Sequence, residues 1–368
     1  MLYRIKNILI YSILLMLLLA SCNKNKSQEQ VSITPIEPTS QLSIILLLGD
    51  GLGIAQLTAA WHEQQYLNLQ RFPYSGLVLT QPADQFVGES ASSNTAMMCG
   101  IKTNYGFLGL DIYSNPQESL YEYLRKQNYQ TGIITSSFIT DATMAALYSH
   151  RENRYDYEDI ALDFYHQYPD FTVAGGQKHF DAREDQINLL DSLQDKGVDL
   201  FYSMNELQNI NHLPSMGMMH ESRPPYLLDG REDFLYEGSS KALALFHDQP
   251  FFLFIEGAQI DLGGHDESIE HQLSETLEFD RVAGMALDYA ENKDHILVLV
   301  VSDHESGALT LLQGDGFQYI PNYAIDEHSG DMVAVFAYGP GAENFTGIMD
   351  NTAIYFKLKE LIDYHLNK

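Results

Sequence analysis

Three stretches of this chain run without interruption through aliphatic and aromatic residues and then stop on an acid. They are Ser43–Leu48 before Gly49-Asp50, Phe251–Ile255 before Glu256, and His295–Val301 before Ser302-Asp303-His304. A strand with one wet face alternates apolar and polar side chains, so a run without alternation is buried on both faces. Such strands need helices above and below them, and the chain supplies candidates. Ser119–Lys126, a long stretch with Ile269, Leu273, Leu277, Ala283, Leu287 and Ala290 along one side, and Ala353–Leu366 all show helical spacing. Shorter strand candidates are Gly76–Thr80, Thr131–Ser136 and Val333–Ala337, the last of them read as the final strand. Strands alternating with helices predict an α/β three-layer sandwich, with a mostly parallel central sheet and helices on both faces.

In such folds ligands bind beyond the carboxyl ends of the strands. Four strand ends here deliver oxygen or imidazole ligands. Asp50 follows the first; Asp141 and Thr143 follow Thr131–Ser136; Glu256, Asp261 and His265 follow Phe251; Asp303 and His304 close the run at Val301. A single acid after a strand is commonly a helix cap. Four such ends point instead to one shared metal cluster. Mixed carboxylate and imidazole donors suit zinc, and an all-oxygen set suits magnesium. Asp261 and His265 are four residues apart, which one helical turn would place on one face. Gly263 and Gly264 between them fit a tight loop equally well. His328 alone would read as a surface residue, but the cluster otherwise lacks an imidazole for a second zinc. Ser90, in GESASSNTA, stands at a predicted helix start, where the helix dipole favours an alkoxide. Taken by itself that stretch reads as an ordinary serine cap. Arg154 offers a fork that matches two phosphoryl oxygens, and Arg151 competes with it for that role or for a surface salt bridge.

Charge narrows the partners. The chain of 368 residues carries 50 acids against 21 Lys and Arg, a net charge of −29. Such a surface repels nucleic acid and anionic lipid, so no nucleic-acid binding is expected. Excess acid can serve solubility alone, or it can hold metal ions that let an acidic protein receive an anion. At the N-terminus, Arg4 and Lys6 precede an apolar run from Ile8 to Leu19. That run falls short of the ~20 residues of a spanning helix and suits a signal peptide. It ends in Leu19-Ala20-Ser21-Cys22, which resembles the lipobox of bacterial lipoproteins. The expectation is a signal peptide over 1–21, a lipidated Cys22 and flexible tether over 22–42, and a single catalytic domain over 43–368. The protein would be exported and lipid-anchored to a bacterial membrane, on its periplasmic face or at the cell surface. Cys99, the other cysteine, then has no partner within the chain.

Six blocks in order carry a family resemblance: IILLLGDGLGIAQ, GESASSNTA with KTNYGFLGLD, ITDATMAALYSHRENR, FIEGAQIDLGGH, LVVSDHESGALT and DEHSGDMVAVFAYGPG. From about Ser43 to its C-terminus the chain resembles alkaline phosphatase. The resemblance implies a phosphomonoester hydrolase with broad small substrates, two zinc ions and one magnesium ion. Asp261, His265 and His328 would hold the first zinc, and Asp50, Asp303 and His304 the second. Asp50 would join Thr143 and Glu256 around magnesium, with Asp141 just outside that set. Ser90 would be the nucleophile that becomes phosphoserine, and Arg154 the phosphate clamp. Relatives are often dimers, so the resemblance admits a homodimer. Two departures stand out: Glu89 precedes the nucleophile where the family commonly has Asp, and Leu262 follows Asp261 where a polar or aromatic residue is frequent. Competing readings are a phosphodiesterase of the same superfamily and a lipid-anchored phosphate or metal binder without turnover. A sulfatase would need Pro and Arg after the nucleophile, and the run after Ser90 has neither.

Overall fold

Successive residues of the apolar runs face opposite sides of one sheet, and both sides are covered. In the first run Ile44, Leu46 and Leu48 enter one core, and Ile45 and Leu47 the other. The run at Phe251 behaves alike, with Phe252 and Phe254 on one side and Phe251, Leu253 and Ile255 on the other. This is the consequence of a period-2 element carrying no polar alternation. The computed structural model describes residues 41–246 and 249–367. The expected signal peptide and the lipidated Cys22 lie outside the described residues, as does most of the tether. Leu42 is already fully buried, one residue before the expected domain start at Ser43.

In chain order the strands are β1 (Ser43–Gly49), β2 (Tyr74–Leu79), β3 (Gln130–Phe138), β4 (Phe171–Gly175), β5 (Asp199–Phe201), β6 (Ser215–His220), β7 (Phe251–Gly257) and β8 (Ile296–Ser302). Four short strands follow, β9 (Glu305–Ser306), β10 (Thr310–Gln313), β11 (Tyr319–Asn322) and β12 (His328–Ser329), and then β13 (Val333–Tyr338) and β14 (Gly347–Asp350). Among the described residues the main sheet has ten strands, in the order β14-β2-β13-β8-β1-β7-β3-β4-β6-β5. Within it β13 runs antiparallel to both neighbours, and the other pairings are parallel. Helices cover both faces, so the architecture is the expected α/β three-layer sandwich. None of the described helices is long and apolar enough to cross a membrane.

Two expectations need correction. Val333–Tyr338 is not the last strand, because the chain forms a turn and returns as β14 along β2. The long helix, Ile269–Ala290, is rotated from the side read in the sequence. Phe279, Val282, Ala283, Ala286, Leu287 and Ala290 bury fully, while Ile269, Leu273 and Leu277 are only partly covered. Polar groups drive that rotation. Asp280 accepts backbone hydrogen bonds from Asn68 and Leu69, and Glu275 and Glu278 turn inward to meet the buried Arg231.

That buried triad makes stability depend on pH. Burial pushes the Glu278 carboxyl up to about 7, with the Arg231 charge pulling the other way. The folded protein then holds a proton that an unfolded glutamate, titrating near 4.5, has already released. This stabilisation is complete below about pH 4.5 and is lost as pH rises through about 7. Glu278→Gln should flatten the decline, which amounts to roughly 3 kcal/mol at most. Urea unfolding of both proteins across that range checks it; identical slopes would show that Glu278 titrates normally.

Candidate metal centre and active site

The strands β8, β1, β7 and β3 lie side by side, so their carboxyl ends form one edge. Parallel register puts Leu48 beside Glu256 and Val301, and Gly49 beside Gly257 and Ser302. Asp50, Glu256 and Asp303 therefore emerge at one level. The turn after Asp50 is possible because Gly51 adopts a φ of +70°, where a Cβ would lie 2.7 Å from the Asp261 backbone. Only glycine accepts both that angle and that approach. The residues that left helix and loop open, Asp261 to His265, form the last turns of a helix, Gln259–His265. His328 arrives by a separate route. β12 pairs antiparallel with β9, setting His328 opposite Ser306, just past His304.

Two candidate cation sites result. Asp50, Asp303 and His304 offer donor atoms within 4.8 Å of one another, and so do Asp261, His304 and His328. His304 Nε2 lies 3.2 Å from Asp50 Oδ1, and His328 Nε2 lies 3.3 Å from Asp261 Oδ1. His265 joins the second group, with Nε2 3.2 Å from Asp261 Oδ2 and 3.1 Å from His328 Nε2. A third group forms around the other Asp50 oxygen: Thr143 Oγ1 is 3.4 Å from Asp50 Oδ2, and Glu256 accepts a short hydrogen bond from Thr135.

The electrostatics of this edge fit bound cations. Asp50 Oδ1, Asp261 Oδ1 and His304 Nδ1 are buried without a hydrogen-bond partner among the described residues. Buried polar atoms are rarely left so. Burial, with the nearby Asp50 charge, pushes the Glu256 and Asp303 carboxyls well above the usual range. Burial would also raise Asp261, but the His265 and His328 imidazoles beside it hold it well below. Its hydrogen bond to Asp261 lifts His265 to about 9. A carboxylate cluster that retains protons when nothing else neutralises it suits divalent ions, and the nitrogen-rich and all-oxygen donor sets match zinc and magnesium respectively.

Ser90 is the first residue of the helix Ser90–Cys99, and it does not cap that helix. Glu89 does, accepting from the Ala91 and Ser92 amides at 2.8 and 2.7 Å. The Ser90 hydroxyl is thereby left to face the cluster, 3.5 Å from Asp50 Oδ2 and 3.4 Å from His304 Nε2. Arg154 sits in a loop rather than on a helix. The loop is tied down by paired backbone hydrogen bonds between Leu108 and Arg151, so the KTNYGFLGLD block positions it. Arg154 Nη1 lies 2.5 Å from Glu89 Oε2, and Nη2 lies 3.5 Å from Asp141 Oδ1. Arg151 is occupied elsewhere, by Asp159 and Asp163, which leaves Arg154 to face the site. The longer arm of Glu89 thus grips the arginine and caps the helix of Ser90 at once. Asp141 points toward arginines, with Ser137 donating to it at 2.8 Å.

The sequence reading missed three participants. Asn94 Nδ2 reaches Asp303 Oδ2 at 3.0 Å and Ser90 O at 2.9 Å. Its place one turn after Ser90 was a readable signal. Thr135 could have been found as the residue opposite Glu256 in a parallel pairing. Arg223, 3.1 Å from Asp141, belongs to no recognisable pattern.

Comparison with known proteins identifies the family and the fold. Residues 42–319 match the family model described as alkaline phosphatase. The alkaline phosphatase from the Antarctic bacterium TAB5 superposes with a TM-score of 0.85 and 32% identity, over 88% of this chain and 99% of that one. A variant of the TAB5 enzyme was solved with Mg bound in its M3 site. The alkaline phosphatase of Escherichia coli K12 is 26% identical over 86% of this chain and 85% of its own length. The repressible alkaline phosphatase of Saccharomyces cerevisiae is 29% identical over 73% of this chain, but the match spans only 55% of the yeast protein.

Proposed function

This chain belongs to the alkaline phosphatase family, a family of phosphatases, and from that membership we propose that it hydrolyses phosphomonoesters through a phosphoserine at Ser90. The observation that carries this reading is the Ser90 hydroxyl, freed from capping by Glu89 and set 3.4–3.5 Å from His304 and Asp50. Asp261, His265 and His328 would hold one zinc, and Asp50, Asp303 and His304 another. Asp50, Thr143 and Glu256 would hold magnesium, and the Mg-bound TAB5 variant supports a magnesium site in a relative of this fold. When bound, these cations would lower the pKa of the hydroxyl and stabilise charge on the attacking and leaving oxygens.

The chain's own residues do the rest. Ser90 Oγ loses its proton to solvent and attacks phosphorus in line with the ester oxygen; the Oγ–P bond forms as the ester P–O bond breaks, and the departing oxygen takes up a proton from water and leaves as the alcohol. Water then attacks the phosphoserine and releases inorganic phosphate, restoring the hydroxyl. The Arg154 fork binds two non-bridging oxygens, held in place by Glu89. The site thus favours a phosphoryl group with three free oxygens. A monoester should exceed a matched diester in kcat/KM by roughly 10²–10³, the worth of one well-placed charged contact. Rates on p-nitrophenyl phosphate and bis-p-nitrophenyl phosphate test this, and equal or reversed rates would replace the monoesterase reading with the diesterase one.

A further inference from the structure

We propose that Arg223 is a positioning residue of the phosphoryl site: by engaging Asp141, it keeps Arg154 available to phosphate. This rests on the phosphatase reading above and adds a residue to it. Arg154 faces two carboxylates, Glu89 at 2.5 Å and Asp141 at 3.5 Å. With these alone, the face that must receive a phosphate would hold two negative charges against one positive. Arg223 redresses the balance, since its Nη2 lies 3.1 Å from Asp141 Oδ2, closer than Arg154 lies to the same carboxylate. Ser137 donates to the same Oδ2 at 2.8 Å, and the Ala142 amide donates to Oδ1 at 2.9 Å. Asp141 is thereby drawn off Arg154, whose Nη2 donors stay free to turn to phosphate.

The placement of Arg223 is built rather than incidental. Its guanidinium carbon sits 5.0 Å from the ring centre of Phe138, the last residue of β3. The segment around it is pinned from both sides. The Gly176 amide donates to Ser222 O at 3.0 Å, and the buried Gln259 amide donates to Pro224 O at 2.9 Å and Pro225 O at 3.0 Å. Gln259 opens the helix that carries Asp261 and His265. The backbone on either side of Arg223 is therefore fixed relative to the site, while about a third of the arginine side chain, 35%, is exposed.

Isothermal titration of the metal-loaded protein with inorganic phosphate tests the proposal. Arg223→Ala should weaken phosphate about tenfold. KM for a monoester should rise in parallel while kcat changes less than about twofold. Arg223→Lys keeps the charge but loses the planar contact with Phe138, and should recover only part of the alanine variant's loss. In an Asp141→Asn background, which has no carboxylate to neutralise, Arg223→Ala should have no further effect on phosphate affinity. Should the alanine variant misfold, Arg223→Gln serves in its place. Unchanged affinity in Arg223→Ala, or an equal loss with and without Asp141, overturns the proposal. A parent protein that neither binds phosphate nor hydrolyses monoesters would overturn the phosphatase reading instead.

Discussion

Replacing Ser90 with alanine should lower kcat on p-nitrophenyl phosphate by roughly 10⁴–10⁶-fold, the cost of deleting a nucleophile. The fold should hardly notice. The Ser90 hydroxyl makes only long polar contacts, at 3.4 and 3.5 Å, and the Glu89 carboxylate caps the helix by accepting from the Ala91 and Ser92 amides whatever occupies position 90. Ser90→Ala should therefore melt within a few degrees of the parent protein, separating lost chemistry from lost structure. Labelled phosphate should mark the parent protein on Ser90 and leave the variant unmarked. Ser92 and Ser93 are buried in the same helix; Ser92 donates to Glu89 O at 3.4 Å and Ser93 to Asp303 O at 2.8 Å, so neither is placed to substitute. An active variant, or a label found on another serine, would remove Ser90 from the mechanism.

Removing the divalent cations should lower the melting temperature on the order of 10 °C, as loss of ligands bound well above their dissociation constants implies. Asp50, Glu256 and Asp303 crowd one edge with His304, and all are buried. Without cations, burial and the neighbouring Asp50 charge push Glu256 and Asp303 well above the usual carboxylate range, so the folded cluster retains protons. An unfolded chain releases those protons at ordinary carboxylate values. The stability of the stripped protein should therefore fall as pH rises above that range, because the folded state binds more protons than the unfolded one. With cations bound, the carboxylates stay ionised and that loss disappears. The gap between loaded and chelator-treated protein should widen from acid toward neutral pH. Calorimetry alongside metal analysis measures it, and a stripped protein that melts with the loaded one at every pH would deny these carboxylates a cation-binding role.

Local physics made much of this protein legible. The unbroken runs at Ile44, Phe251 and Ile296 carry no polar alternation, and such strands have few alternatives to a sheet covered on both faces. Acids placed at the ends of those runs could be named as ligands because parallel strands end on one edge. The helix over Ile269–Ala290 was found from its spacing, but its rotation was not. Periodicity weighs Leu273 and Leu277 by their hydrophobicity alone, and it takes no account of Asp280, Glu275 and Glu278 finding buried partners.

The chain alone thus set which residue types stand where each strand stops; the tertiary structure decided which of those ends meet. Adjacency of β8, β1, β7 and β3 is a matter of strand order, set between segments that lie from 121 residues apart (Gln130 and Phe251) to 253 apart (Ser43 and Ile296) along the chain. His328 reaches the site only through the β9–β12 pairing, and Arg223 only through a loop anchored by Gln259. Such contacts leave no periodic trace, because hydrogen bonds between distant segments depend on position in space and not on spacing along the chain.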